Sequence, residues 1–361
     1  MIPVTKSFLP PIEDYIHYLE QIWASNQLTN NGPLVQELEA KLKDYLGVRH
    51  LFFVSNGTIA LQIAIKALDL HGEIITTPFS YVATTSSIVW EGCQPVFVDI
   101  DPQTLCIDPN LIEAAITDKT SAILATHVYG IPCDVDRIQA VADKHGLTVI
   151  YDAAHTFGGK YKGKSIVSYG DIATLSFHAT KLFHTVEGGA LITDDDELAH
   201  RISYMRNFGH KGQEDFWGLG INGKNSEFHA AMGLCNLPYV DEIIATRQVV
   251  SSWYDQFLAG SGLTRPVLPA GTAYNYAYYP VIYENQTALL RDKQALNVAE
   301  IYPRRYFYPS LNTLTYLDKQ NFAHTDRISA SILCLPLYPE LKQQDVILIA
   351  ETIAANQSAN E

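Results

Sequence analysis

The chain has 361 residues, of which 47% are hydrophobic, and a formal net charge of −14. Such a length suits one large domain plus a smaller one. The acidic balance argues against nucleic acid or an anionic membrane as a partner, since both need basic patches. No stretch approaches the roughly 18 consecutive apolar residues of a membrane span. The opening Met1-Ile2-Pro3-Val4-Thr5-Lys6 lacks the charged and apolar regions of a signal peptide, so a cytoplasmic location is expected.

Taken in order, seven short apolar runs read as strands: Leu51–Ser55, Glu73–Thr77, Pro95–Asp99, Ala122–Thr126, Leu147–Tyr151, Ile172–Ser176 and Ala190–Thr193. Continuous apolar runs suit strands buried on both faces, as in a mainly parallel sheet covered by helices. Between them, Pro33 opens a helix with Leu34, Leu38, Leu42 and Tyr45 on one face, and Gly47 ends it. Asp108-Pro109 opens another helix, and Asp134 caps one that closes at Gly146. From Ser226 to about Leu258 the pattern is mostly helical and links two domains, predicted as residues 1–245 (large, α/β) and 246–361 (small, C-terminal, α+β). The stretch Ala354–Ser358 is expected to be a frayed tail.

Three segments carry the chemistry. The strand ending at Val54 leads through Ser55-Asn56-Gly57-Thr58 into a helix. Glycine lets backbone N–H groups approach an anion closely, and a helix N-terminus adds unpaired donors. Asp152 ends another apolar strand, at the sheet edge where open α/β folds bind ligands. Lys181 follows the strand ending at Ser176 and precedes Glu187-Gly188-Gly189.

An anion cradle, a strand-end carboxylate and a loop lysine together point to pyridoxal 5'-phosphate held as a Schiff base. The carboxylate would keep the ring nitrogen protonated, and a low-dielectric pocket would keep the lysine amine neutral. Tyr81, in Phe79-Ser80-Tyr81, offers a ring to stack on the cofactor. His155 could contact the cofactor's phenolic oxygen or cap its loop. Each residue alone suits a bland role too: a turn, a helix cap, a surface charge or core packing.

These segments resemble the DegT/DnrJ/EryC1/StrS sugar aminotransferases, pyridoxal phosphate enzymes of fold type I. The likeness runs along almost the whole chain: Thr29-Asn30-Asn31-Gly32-Pro33, Ser55–Thr58, His127-Val128-Tyr129-Gly130, Asp152–His155, Ser176–Lys181, Glu187–Gly189 and Gly220-Ile221-Asn222. The resemblance implies that Lys181 joins the cofactor and shuttles protons while Asp152 pairs with the pyridine nitrogen. It implies that Tyr81 stacks on the ring with His155 near it, and that Gly57, Thr58 and Ser176 bind the phosphate. Asn222 would reach the phosphate from a neighbouring subunit, in a homodimer with shared active sites. Thr29, Arg304, Arg305 and Tyr306 would face the substrate.

Family substrates are nucleotide-linked keto-sugars, with L-glutamate as the usual amino donor. Tyr302-Pro303-Arg304-Arg305-Tyr306-Phe307-Tyr308-Pro309 looks like the subgroup acting on dTDP-4-keto-6-deoxyhexoses. Its two guanidiniums and several rings suit a diphosphate and a base or sugar, or equally a salt-bridged aromatic segment. The expected product is an amino-deoxy sugar for a surface polysaccharide, such as a lipopolysaccharide O-antigen, or for a glycoside. Amination at C3, or a non-catalytic regulator on the same fold, are the alternatives.

The family's Tyr-Arg after the Asn222 position is Gly223-Lys224 here. A dehydratase branch carries histidine where this chain keeps Lys181, so transamination is favoured. Gly218-Leu219-Gly220-Ile221-Asn222-Gly223 fits a dinucleotide fingerprint literally but follows no buried strand, and reads as a flexible glycine loop. Cys93, Cys106, Cys133, Cys235 and Cys334 are an odd, scattered set without Cys-x-x-Cys, and the twelve histidines lack metal spacing. No disulfide framework or metal site is expected.

Overall fold

The computed structural model describes residues 1–358. Its centre is a seven-stranded sheet made of β1 (His50–Val54), β2 (Glu73–Thr76), β3 (Gln94–Phe97), β4 (Thr120–Thr126), β5 (Thr148–Asp152), β6 (Ile172–Ser176) and β7 (Gly189–Thr193). The spatial order is β1-β7-β6-β5-β4-β2-β3. The β3, β2, β4, β5 and β6 strands run parallel, and β7 runs antiparallel to both β6 and β1. All seven apolar runs thus form this one sheet. Their lack of alternation has a direct cause, because helices cover both faces and each face has its own apolar cluster.

The covering helices start and stop where local chemistry dictates. In α1 (Ile12–Ser25), Ile22 is the buried residue and Asn26 closes the helix in the left-handed conformation. In α2 (Pro33–Leu46), Pro33 takes the first position and Gly47 the left-handed cap. Leu38 and Leu42 on its inner face are fully buried, and each stabilises the fold by about 2 kcal/mol. The N-terminus of α2 also receives a distant cap: the buried Glu227 carboxylate accepts the Leu34 and Val35 N–H groups at 2.8 and 3.1 Å. These two bonds tie the Asn31-Gly32-Pro33 turn to a helix 193 residues on. The short helix α3 (Gly57–Ala67) is capped by Asn56, and α4 (Val82–Trp90) starts after Tyr81.

Pro109 opens only a four-residue helix, α5 (Pro109–Ile112), which tightens into a 3-10 turn. Asp134 caps α6 (Val135–His145) through the Arg137 N–H, and α7 (Asp196–Met205) follows β7. The segment from Ser226 contains α8 (Glu227–Asn236), a 3-10 turn over Leu237–Tyr239, and α9 (Val240–Phe257). Along α9, Ile243 packs in the main cluster whereas Val250 and Tyr254 belong to a third one. That third cluster holds the antiparallel pair β8 (Tyr279–Ile282) and β9 (Ile332–Leu335). It also includes side chains of α10 (Gln286–Val298) and α12 (Gln343–Ser358), while α11 (Ala323–Ser331) leads into β9.

Two expectations change. The Ala354–Ser358 stretch is the last turn of α12, not a frayed tail; Ile349 and Ile353, buried on its inner face, hold the helix down. The Gly218–Gly223 loop is bound at its base, not flexible. Phe208 N–H reaches Ile221 O at 3.0 Å, Gly223 N–H reaches Arg206 O at 2.9 Å, and Ser55 N–H reaches Gly223 O at 2.8 Å. No helix among the described residues is long and apolar enough to cross a membrane.

Candidate active site

The carboxyl ends of β1, β5 and β6 open onto one edge of the sheet, and the loops after them line a cavity of about 320 Å³. Asn56, Gly57 and Thr58 come from the β1–α3 turn, Tyr81 from the turn before α4, and Asp152 and His155 from the end of β5 and the loop after it. Ser176, His178, Lys181 and Glu187 come from β6 and the loop to β7, and Arg304, Tyr306 and Phe307 close the mouth. Of the residues expected here, Gly57, Thr58, Tyr81, Asp152, His155, Ser176, Lys181, Arg304 and Tyr306 line this one space.

The lysine loop is pinned at its base. Phe177 N–H bonds Gly188 O at 2.8 Å, Thr185 N–H bonds Phe177 O at 3.0 Å, and the Asn225 amide bonds Glu187 O at 2.9 Å. Stacked rings of Phe157 and Phe183, 4.3 Å apart, pack beneath it. Burial pushes the Lys181 ammonium down to about 8, against the opposing pull of Asp152 and Tyr81. Near neutrality a useful fraction of this amine is therefore neutral and nucleophilic.

Asp152 is 6% exposed. Burial raises its carboxyl above the ordinary value, while the Thr84 hydroxyl (2.7 Å), the Ala154 N–H (3.1 Å) and the Lys181 charge pull the other way. For His155, burial and then the Lys181 charge hold the ring well below its ordinary value. Its Nδ1 accepts the Tyr129 N–H at 3.2 Å, so the neutral ring carries its proton on Nε2.

The β1–α3 turn suits a phosphate. The first N–H groups of α3, at Gly57 and Thr58, have no helical acceptor four residues back, and the helix dipole favours an anion there. A side chain would spoil this turn: a Cβ on Gly57 would lie 3.1 Å from Ser176 Cβ, and one on Gly189 would lie 2.6 Å from the Asn56 carbonyl. The Glu187-Gly188-Gly189 signal is thus a close approach of β7 to the anion cradle. An anion seat, a buried carboxylate and a depressed lysine lining one cavity fit pyridoxal phosphate.

The mouth is built differently. Arg304 pairs with Cys334 through two backbone bonds, at 3.0 and 2.8 Å. The Ser329 hydroxyl donates to Phe307 O at 2.7 Å, and the Tyr129 hydroxyl donates to Tyr306 O. Arg305 does not line the main cavity; its guanidinium donates to Ser329 O and Ala330 O at the end of α11 and lies 3.3 Å over the Tyr308 ring, in an adjoining recess. The other end of α11 is held by Asp99. Its buried carboxylate accepts the His324 and Thr325 N–H groups and the Thr325 hydroxyl at 2.7–2.9 Å.

Thr29 and Asn222 lie outside the cavity of their own chain. Thr29 is exposed, with its hydroxyl 3.4 Å from Asn225 O. Asn222 is exposed and accepts from Lys224 at 2.6 Å.

Sequence reasoning missed Thr84 and Asp99, and also Tyr278 and Phe307 in the lining. Thr84 stands three residues after Tyr81 on a helix's first turn, a spacing that faces it to the same side. Asp99 gave no such signal, because its partners are 225 residues away.

The chain belongs to the DegT/DnrJ/EryC1/StrS aminotransferase family, which it matches over residues 12–354, and its fold is that of the type I transaminases. It is 44% identical over 360 residues to a dTDP-4-amino-4,6-dideoxy-D-glucose transaminase of Shigella dysenteriae, covering 97% of both chains. An Escherichia coli protein of the same name is 40% identical over 367 residues, with 98% of each chain covered. Among solved structures, DesI in the presence of its TDP-sugar product superposes with a TM-score of 0.93 at 33% identity, covering 99% of this chain and 93% of that one.

Proposed function

We propose that the chain is a pyridoxal phosphate-dependent transaminase that carries an amino group from L-glutamate to C4 of a dTDP-4-keto-6-deoxyhexose, working as a homodimer. The observation that carries this reading is the meeting of Lys181 and Asp152 in one cavity, in a chain 44% identical to a dTDP-sugar transaminase. When bound, pyridoxal phosphate supplies an electron-withdrawing ring that accepts and returns the amino group.

The protein does the rest. Lys181, held half-buried with a depressed pKa, moves a proton at its Nζ to and from the substrate carbon. Asp152 would pair with the ring nitrogen and keep it protonated. Tyr81, 56% exposed at the cavity wall, would pack on the ring and shield it from water. The N-terminus of α3 with Thr58 and Ser176 binds the phosphate. At the mouth Arg304, stacked over Tyr306 with 4.9 Å between guanidinium and ring centre, offers a planar donor for a diphosphate.

The dimer is supported by the loop that carries Asn222. Phe216, Trp217, Leu219 and Ile221 are all exposed on it, and Asn222 stands outside its own cavity, as a residue serving a partner's phosphate would. Incubating purified protein with L-glutamate and a panel of dTDP-, UDP- and GDP-keto-sugars tests the assignment. Mass spectrometry and NMR should find a 4-amino dTDP-sugar and 2-oxoglutarate; a 3-amino product or no amination would overturn it.

A further inference from the structure

Asp152 sits at the end of a chain of buried hydroxyls. The Thr84 hydroxyl lies 2.7 Å from Asp152 Oδ2, Ser80 Oγ lies 2.7 Å from Thr84 Oγ1, and Thr126 Oγ1 lies 3.0 Å from Ser80 Oγ. Thr84, Ser80 and Thr126 are 0%, 1% and 3% exposed. A hydroxyl has one proton, so the directions follow from the end. Thr84 donates to the carboxylate and must accept from Ser80; Ser80 has then spent its proton and must accept from Thr126. The three bonds therefore all point toward the negative charge.

The placement of these groups is not incidental. Thr126 and Asp152 are direct partners across β4 and β5. Ser80 precedes Tyr81, and Thr84 follows it on the first turn of α4. The relay thus ties two neighbouring strand ends to the turn that carries the ring-covering tyrosine.

We propose that Thr126, Ser80 and Thr84 form a one-way hydroxyl relay that fixes the Asp152 carboxylate and the Tyr81 turn as one unit, making Thr84 a positioning residue of the reaction. The inference rests on the reading of the cavity as a pyridoxal phosphate site. Its physical need is clear. Burial favours the neutral acid, and the groups opposing it are the Thr84 hydroxyl, the Ala154 N–H and the Lys181 charge. Lys181 is partly neutral at working pH, and His155 is held neutral by burial and by the Lys181 charge. The hydroxyl relay and the Ala154 N–H are the contributions that do not titrate, and donors aligned in series strengthen one another.

The test compares wild type with Thr84→Val, Thr84→Ser and Ser80→Ala. In protein stripped of cofactor and labelled with 13C at the aspartate carboxyl, NMR should show Asp152 titrating at higher pH in Thr84→Val and at its wild-type position in Thr84→Ser. In loaded protein, Thr84→Val should slow both half-reactions together by about ten- to a hundredfold, the worth of one hydrogen bond to a charge, with little change in either KM. Thr84→Ser should recover most of the rate.

A Thr84→Val protein with wild-type titration and rates would overturn the proposal, as would Thr84→Ser impaired equally. Should Thr84→Val not fold, Ser80→Ala, which removes the second link and leaves Thr84 in place, must shift the same titration in the same direction; an unmoved titration overturns the proposal. The titration needs no cofactor, so it judges the relay even if wild type takes up no pyridoxal phosphate, the result that would sink the cofactor reading itself.

Discussion

The floor and the mouth of the cavity are built on opposite plans. The floor residues Asp152 and Lys181 stand on or just beyond strand ends of a sheet sealed on both faces, and their partners are short, buried and mostly local. The mouth residues Arg304–Phe307 lie on no helix. Backbone bonds to Cys334 and the Ser329 hydroxyl hold them, and α11 is in turn fastened to the large sheet's side by Asp99. A floor fixed by the sheet suits chemistry that must be the same for every amino donor and acceptor. A mouth hung from β9, α11 and the Tyr129 hydroxyl, outside the large sheet, suits recognition.

Substitutions that cut either plan separate the two. The largest effect is expected from Lys181→Ala, which removes the proposed proton carrier and should lower turnover at least about 1,000-fold in both half-reactions. Full activity in that variant would refute the role. Asp152→Asn keeps the shape and removes the charge; rates should fall about 100-fold in both half-reactions, as for loss of one preorganised charge contact. Stopped-flow spectra of each half-reaction give both numbers.

At the mouth, Asp99→Asn turns an acceptor into a donor facing the His324 N–H. The KM for the nucleotide sugar should rise about tenfold, and the fold should lose about 2 kcal/mol in urea unfolding, while the floor-driven glutamate half-reaction keeps its rate. The pH dependence has a definite sign. Although burial alone would raise it, hydrogen bonds from Thr325, His324 and Ile100 bring the Asp99 carboxyl below its ordinary 3.8. Its contribution to stability is then present above 3.8 and is lost as pH falls through the lower folded-state value. Urea unfolding of wild type and Asp99→Asn should converge in strong acid; a gap that persists there would contradict the charge's role.

A smaller effect separates the two arginines. Arg304→Gln should raise the sugar KM by about five- to tenfold. Arg305→Gln, losing bonds to two carbonyls at the end of α11, should show mainly a stability loss of about 1 kcal/mol. Equal effects on KM would mean that both guanidiniums touch the substrate.

The two plans also explain what could be read from the sequence. Every strand of the large sheet was visible, because burial on both faces leaves a short apolar run bounded by polar or turn residues. The floor was visible for the same reason: Asp152 and the Gly57-Thr58 turn each punctuate such a run, and the Glu187-Gly188-Gly189 signal marks where β7 must pass against Asn56. The mouth was visible only as a cluster of arginines and rings. Which guanidinium faces the cavity depends on the end of α11, a contact about 25 residues away. The buried hydroxyls were overlooked because Ser and Thr are ordinary at strand ends and helix starts, and only the geometry shows that Thr126, Ser80 and Thr84 run in series to one carboxylate.

Lys181, with an amine brought to about 8 by burial, is proposed to take the cofactor covalently. Borohydride reduction of the pyridoxal phosphate-loaded protein, repeated across pH and followed by peptide mapping, addresses it most directly. A single label is expected on the peptide containing Lys181, with the initial rate of cofactor uptake rising through a midpoint near pH 8. A label on another lysine, or no label at any pH, would contradict it.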